Sequence, residues 1–392
     1  MTGRHFYLAW RYVVFHKAKT AILVSCITLT LFLPLALNRL VSEFETRLMS
    51  RAEATPLVIG AKGSRFDLAL HALYFRGRAP TSLTMKDFQA ARESELATAV
   101  PLFVRFKARG YPIAGTTLEY FEQRGLTVAR GESLSMLGDC LVGAGVAAEL
   151  GLKPGDKLLS DSKNVFDIAA DYPLRMNVVG VLADSGSPDD EAVFVDLKTA
   201  WVIQGIGHGH QEMANPGDKN VVLERTSSNV VASAALPQFM EITQENAGSF
   251  HFHAEPDELP VTALVVWPHD EKSRTLLLGR YNSDVARAQV LQSTEVVEEM
   301  LGLVFKVKRF FDVNYALVAA STVLFLALTI LLSLRLRRRE MQTMFQLGCS
   351  RGTVFWLQAS ELLIVLAFSL IFALILAAVA GASSEFLIER VM

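Results

Sequence analysis

Three long apolar runs interrupt the otherwise mixed pattern of the chain, at 20–40, 315–334 and 354–381. Each approaches or exceeds the ~20 residues needed to cross a ~30 Å hydrocarbon core. Backbone in lipid must satisfy its own hydrogen bonds, so each run predicts a membrane helix. Pro34, near the outer end of the first, is tolerated in such a helix. A cleaved signal peptide is the alternative for the first run. Against it, a long segment holding Trp10 and Tyr12 precedes the run, and no clear small-x-small cleavage site follows it. In that preceding segment Phe6, Trp10, Tyr12 and Phe15 alternate with Arg and His. This predicts an amphipathic helix on the membrane surface, in contact with lipid; the alternative is a frayed tail.

Between the first and second runs the pattern shortens to strand and turn signals. "TPLVIGAKG" (55–63) predicts a strand ending in a Gly-rich turn, and "FDLALHALYFRG" (66–77) has helical periodicity. "TAVPLFVRFKA" (98–108), "YPIAGTT" (111–117) and "CLVGAGVAAELGL" (140–152) are read as β-rich. The stretch 174–203 predicts strand, turn, strand and helix, with Ser187-Pro188-Asp189-Asp190 as the turn. "NVVLERT" and "VTALVVWPH" are further strands, and 272–307 is read as helical, running into the second apolar run.

Composition sharpens this picture. The chain has 392 residues, a hydrophobic fraction of 51% and a net charge of −2. That balance fits a few membrane spans beside a large water-soluble part and gives no reason to expect a nucleic-acid partner. The 3 cysteines, Cys26, Cys140 and Cys349, lie far apart and support neither a disulfide framework nor a cysteine metal motif. Basic residues cluster before the first run (Arg4, Arg11, Lys17, Lys19) and between the second and third (Arg335, Arg337, Arg338, Arg339, Arg351). The positive-inside rule places both segments in the cytoplasm. The expected organisation is a helical membrane protein with three spans and a large mixed α/β extracytoplasmic domain between the first two. Its parts are an amphipathic N-terminal helix (1–19), spans at 20–40, 312–336 and 354–381, the outer domain (41–311), a cytoplasmic loop (337–353) and an outer tail (382–392).

Candidate chemistry is sparse. "GAKGS" (60–64) lacks phosphate-loop spacing and reads as a turn, and neither G-x-S-x-G nor H-E-x-x-H occurs. The chain is therefore expected to be no enzyme, and any energy source must sit on another chain. Five of the 8 histidines fall between His208 and His269. His208 and His210, and likewise His251 and His253, stand two apart, a spacing that points both side chains the same way in a strand. The four are candidate ligands for zinc or another transition metal, with Glu255 or His269 as a further candidate. A polar loop or a pH-responsive surface is the other reading.

Three motifs then carry a resemblance: "VIGAKGSRFDLALHALYF" (58–75); "LVGAGVAAELGLKPGDKL" (141–158) followed by "MNVVGVLADSGSPDDEAVFVDLKTAW" (176–201); and "RRREMQTMFQLGCSRGTVFWLQASELL" (337–363). In this order, across most of the chain, they resemble FtsX/MacB-type, or type VII-like, ABC transporter permeases. The resemblance implies a bacterial inner-membrane protein with a cytoplasmic N-terminus and a MacB-like periplasmic domain. It implies a coupling helix in the inner loop that docks on a separate ATPase subunit, which holds the ATP and Mg. Arg337 to Glu340, including Arg338 and Arg339, would open that helix, Met341, Met344, Phe345 and Leu347 would form its apolar side, and Gly348 would end it. Ser350 or Thr353 would cap the next helix, which starts near Arg351. Glu361, an acid inside the third span, is a functional candidate by position; contact with the coupling helix or Arg351 is expected, with substrate contact as the alternative.

Implied partners are a second copy or a related permease, the ATPase, and a periplasmic adaptor or substrate protein, with no cofactor held by the chain itself. The implied function is mechanotransmission: ATP hydrolysis drives a conformational change outside the membrane, and an envelope substrate is moved or handled. The family usually has four spans, and the apolar pattern here predicts three. Two other classes stay open: an FtsX-like regulator of a periplasmic partner enzyme, and a membrane-anchored metal-binding or sensing protein.

Overall fold

The computed structural model describes residues 2–161, 173–209, 222–225, 230–232, 239–281, 287–336, 338–346 and 348–391, with backbone alone at 2–5, 209, 222–225, 230–232, 333, 336, 340 and 382–391. The chain forms two compact units, one of residues 1–46 and 301–392, the other of residues 47–300.

The first unit is helical. Among the described residues, three helices are long and apolar enough to cross a membrane: Lys17–Glu53, Ser293–Leu336 and Arg351–Val391. Their surfaces leave large apolar side chains open, among them Leu317, Val323, Leu324 and Phe372, as a lipid-facing helix requires. Where the helices meet, small hydroxyls bridge them. Thr28 donates to the Ser369 carbonyl at 3.3 Å, and the Thr30 and Thr322 hydroxyls lie 3.0 Å apart. Such hydroxyls allow close backbone approach and supply an interhelical hydrogen bond in a medium that offers no other. The helix Thr2–Phe15 packs Trp10 against Phe368, with ring centroids 5.8 Å apart.

The second unit is mixed α/β around an 11-stranded sheet. Its main path runs Met240–Glu241, Leu174–Leu182, Asp139–Val142, Val193–Asp196, Tyr111–Thr116, Ala97–Ala108, Ala263–Pro268, Leu57–Ala61, Ala288–Gln292. The strand Ala97–Ala108 joins two halves. Its residues 97–102 pair with Ala263–Pro268 and its residues 103–108 with Tyr111–Thr116, with a register shift between Val104 and Phe106. Leu57–Ala61 lies between two antiparallel neighbours and is buried throughout, which explains its unbroken apolar run. The hairpin at Arg109-Gly110 needs positive φ at both residues (50° and 89°), and the Asp161 carboxylate accepts hydrogen bonds from both amides.

Two local expectations are corrected. The stretch 140–152 is not all β: Asp139–Val142 is a strand, but Ala144–Leu150 is a helix with Gly143 as its N-cap and Gly151 as its left-handed C-cap. Gly143 lies so close to Asp189 and Asp190 that a Cβ there would meet the Asp190 carbonyl oxygen at 2.3 Å. The stretch 272–307 is not continuously helical: after the helix Glu271–Tyr281, Ala288–Gln292 forms an edge strand on Leu57–Ala61, and the long helix begins at Ser293. Sheet pairing outweighs the helical preference of Ala, Gln and Leu in that segment.

Candidate functional site

The loop between the second and third long helices folds as a separate short helix, Arg338–Gln346. Met341, Met344 and Phe345 stand at i, i+3 and i+4 and so share one face. The two methionines are half-buried, and Phe345, Arg338 and Arg339 are exposed. Gly348 ends the helix at φ 91°. Its amide donates to the Phe345 carbonyl and the Cys349 amide to the Met344 carbonyl, both at 3.0 Å, which is the Schellman arrangement. Ser350 then caps Arg351–Val391, its hydroxyl accepting from the Thr353 amide at 3.2 Å. The left-handed Gly348, the Schellman hydrogen bonds and the Ser350 cap thus set the short helix off from the long helix that follows it. Leu347 lies outside the described residues, and Glu340 is described by its backbone alone, on the same helix. Glu361 forms an ion pair with Lys19 at 3.6 Å, which joins the third long helix to the start of the first. The two line a cavity of about 360 Å³ with Leu23, Ile330, Phe355 and Gln358.

The α/β domain holds a second constellation, which no sequence motif announced. Arg51 lies in the last turn of the helix Lys17–Glu53 and is 4% exposed. It donates through both guanidinium arms to Asp189, one at 2.9 Å, through Nη2 to the Tyr120 hydroxyl at 2.9 Å, and through Nε to the Leu73 carbonyl at 2.7 Å. Tyr120 donates to Asp189 Oδ1 at 2.6 Å, and Ser187 Oγ to Asp189 Oδ2 at 3.0 Å. Burial opposes ionisation of Asp189, but Arg51 and Arg124 outweigh it and hold the carboxyl below the usual range. Burial pushes the Tyr120 hydroxyl up to about 12. The group is therefore a charge pair with its hydrogen bonds satisfied.

The helix Arg65–Tyr74 touches this anchor at one end and a second root at the other. Its C-terminal end supplies the Leu73 carbonyl; the Tyr74 hydroxyl donates to the Leu48 carbonyl at 2.8 Å, and the Phe75 ring lies under Arg51. Its first residue, Arg65, pairs with Glu295 and Glu299, both at 3.7 Å, on the opening turns of Ser293–Leu336. Ser64 caps it, accepting from the Asp67 amide. The motif at 58–75 is thus the piece of the domain that connects the ends of two long helices. A single sequence offers no pattern that would pair Arg51 with a residue 138 positions away.

The histidines gather on a two-stranded antiparallel ribbon. Gly207–Gly209 pairs antiparallel with Phe250–Phe252, placing His208 opposite His251. One ligand nitrogen from each of His208, His251 and His253 lies within 4.8 Å of the others. His210 lies outside the described residues, and among the described residues neither Glu255 nor His269 joins the group.

Comparison with known proteins gives the lineage. Residues 22–241 match the family model of the MacB-like periplasmic core domain, and residues 314–391 that of the FtsX-like permease C-terminal region. Two solved structures are similar. One is the periplasmic region of MacB from Actinobacillus actinomycetemcomitans, at 10% identity and TM-score 0.36, covering 64% of this chain and 97% of that one. The other is the extracellular domain of the noncanonic ABC-type transporter YknZ from Gram-positive bacteria, at 11% identity and TM-score 0.33, covering 60% of this chain and 98% of that one. No curated protein matches the sequence. The two family models fall, in order, on the inserted α/β domain and on the last two long helices with their intervening short helix, and the chain belongs to the FtsX/MacB-type family of ABC transporter permeases.

Proposed function

We propose that this chain is the permease subunit of an ABC transporter in a bacterial inner membrane, and that it transmits ATP-driven motion of a separate ATPase to its α/β domain. Family membership brings an ATPase partner and a permease dimer with it. The observation that carries the finer reading is the short helix Arg338–Gln346, closed off from the long helix that follows it and presenting Phe345, Arg338 and Arg339 outward. A short amphipathic helix tied directly to two long helices is a suitable handle for a moving partner. The basic residues around it and before the first span support a cytoplasmic position. The domain at 47–300 then lies outside, and the helix Arg65–Tyr74 joins the two roots through which motion would enter it.

In this mechanotransmission reading the substrate is one already outside the membrane. Glu361, paired with Lys19, serves helix packing rather than substrate binding.

The test is co-purification of the full chain with its ATPase in mild detergent. The double variant Met344→Asp/Phe345→Asp should lose the ATPase while the α/β domain keeps its protease resistance. Retained association in that variant would refute the docking role of this helix.

A further inference from the structure

We infer that His208, His251 and His253 form a three-histidine site for a divalent transition-metal ion, zinc by preference. The geometry of this two-stranded ribbon dictates the cluster. Phe250, His251 and Phe252 alternate along one strand, so the two phenylalanines and His251 take opposite faces, and His253 follows directly at the strand's end. The phenylalanines pack on the domain core, and Phe252 meets Trp201 edge-on at 6.1 Å. Gly207, opposite Phe252, makes room for that packing, since a Cβ there would lie 2.6 Å from the ring. With the aromatic face held inward, His251 and His253 must turn to the other face. There the register delivers His208 from the partner strand. The amide of His253 donates to the Ile206 carbonyl at 3.3 Å and holds the third histidine alongside.

The three rings form a nearly equilateral triangle, with centroids 4.9, 4.6 and 4.8 Å apart. The Nε2 atoms of His208 and His253 are 3.4 Å apart. Tetrahedral zinc with Zn–N bonds of about 2.0–2.1 Å places its ligand nitrogens roughly 3.3 Å apart. Nδ1 of His251 lies 3.3 Å from the Ser249 carbonyl. A proton on Nδ1 would be donated there, leaving the Nε2 lone pair for a metal, as outer-shell partners of ligating histidines commonly do. Three imidazoles suit zinc, copper(II), nickel or cobalt and disfavour magnesium and calcium, which prefer oxygen. His253 is exposed, so a fourth position can take water or an external donor. Bound metal would staple Gly207–Gly209 to Phe250–Phe252 and stabilise the ribbon they form. This site is independent of the ATPase and of the transport reading.

The test uses the full chain in detergent, purified with an affinity tag that contains no histidine and stripped with chelator. Zn²⁺ alone, and separately Co²⁺, is titrated, with Ca²⁺ and Mg²⁺ as controls. One Zn²⁺ should bind per chain, and Co²⁺ should give the intense visible bands of four-coordinate geometry. His208→Gln, His251→Gln and His253→Gln should each weaken binding by at least about 100-fold, the upper range for losing even an outer-shell partner. His269→Gln should leave it unchanged. Absence of stoichiometric Zn²⁺ binding by the wild type would overturn the proposal, as would unaltered affinity in all three variants. X-ray absorption of the wild-type zinc form decides the matter even where a variant misfolds: histidine nitrogens at about 2.0–2.1 Å are expected, and an all-oxygen shell would refute the site.

Discussion

Two long helices enter the α/β domain, and they are rooted by different physics. The helix Lys17–Glu53 ends in a buried charge: Arg51 is 4% and Asp189 1% exposed, and Tyr120, Ser187 and the Leu73 carbonyl complete the set. The helix Ser293–Leu336 begins with Val296 and Val297 fully buried and with Glu295 and Glu299 facing Arg65 at the surface. The first root is directional. A bidentate carboxylate–guanidinium pair tolerates one geometry, and breaking it strands a buried charge. The second root is apolar contact with a weak electrostatic rim, which tolerates small shifts. The contrast suggests a fixed root and a yielding one, bridged by the helix Arg65–Tyr74. Within the transport proposal, the yielding root belongs to the helix that leads directly to the short loop helix Arg338–Gln346.

The largest effect should come from the fixed root. Asp189→Ala leaves Arg51 buried without its partner and should destabilise the domain by about 3–5 kcal/mol. The apparent Tm of the full chain should fall by about 10 °C, and Arg51→Met with Asp189→Leu should recover most of that loss. A fall of only a degree or two in Asp189→Ala would show that the two roots do not differ in kind.

The next effect concerns the bridge. His71 is 3% exposed in the middle of Arg65–Tyr74, and its Nε2 has no hydrogen-bond partner among the described residues. Burial, with a further contribution from Arg105, lowers its pKa to about 4. The unfolded chain, with an ordinary value near 6.5, binds more protons between these limits. The neutral ring's contribution is therefore complete above about pH 6.5 and is lost as pH falls toward 4, by at most about 3 kcal/mol. Unfolding midpoints measured across that range should decline with acid, and His71→Leu should flatten the decline. An identical slope in that variant would remove His71 from the account.

The smallest effect should come from the yielding root. Arg65→Ala removes two exposed ion pairs and should cost less than about 1 kcal/mol, diminishing further in high salt. A loss comparable to that of Asp189→Ala would abolish the distinction.

Local pattern reached some of this architecture and not the rest. The apolar runs, the strand at Leu57–Ala61 and the charge, periodicity and closing glycine of the short helix are all readable within a few residues. Asp189 sits in a Ser-Pro-Asp-Asp run that has every feature of a turn, and it does lie in the short 3-10 helix Pro188–Glu191. Its pairing with Arg51 depends on the folded sheet and leaves no local trace. The histidines were half legible. Spacing by two predicted a shared face within each pair, but only strand register shows that His208 faces His251. Residues 288–292 carry good helix formers and become a strand because Leu57–Ala61 offers an open edge.

The central claim is that motion passes from the short loop helix to the α/β domain. It is tested most directly by pulsed spin-label distance measurements on the permease reconstituted with its co-purifying ATPase. One label would replace the exposed Glu93 in a background lacking Cys26, Cys140 and Cys349. The account predicts that ATP binding shifts the distance between labels of the two permease copies, and that Met344→Asp/Phe345→Asp abolishes the shift. A distance that ignores nucleotide in the wild type, or still responds to it in the double variant, would contradict the account.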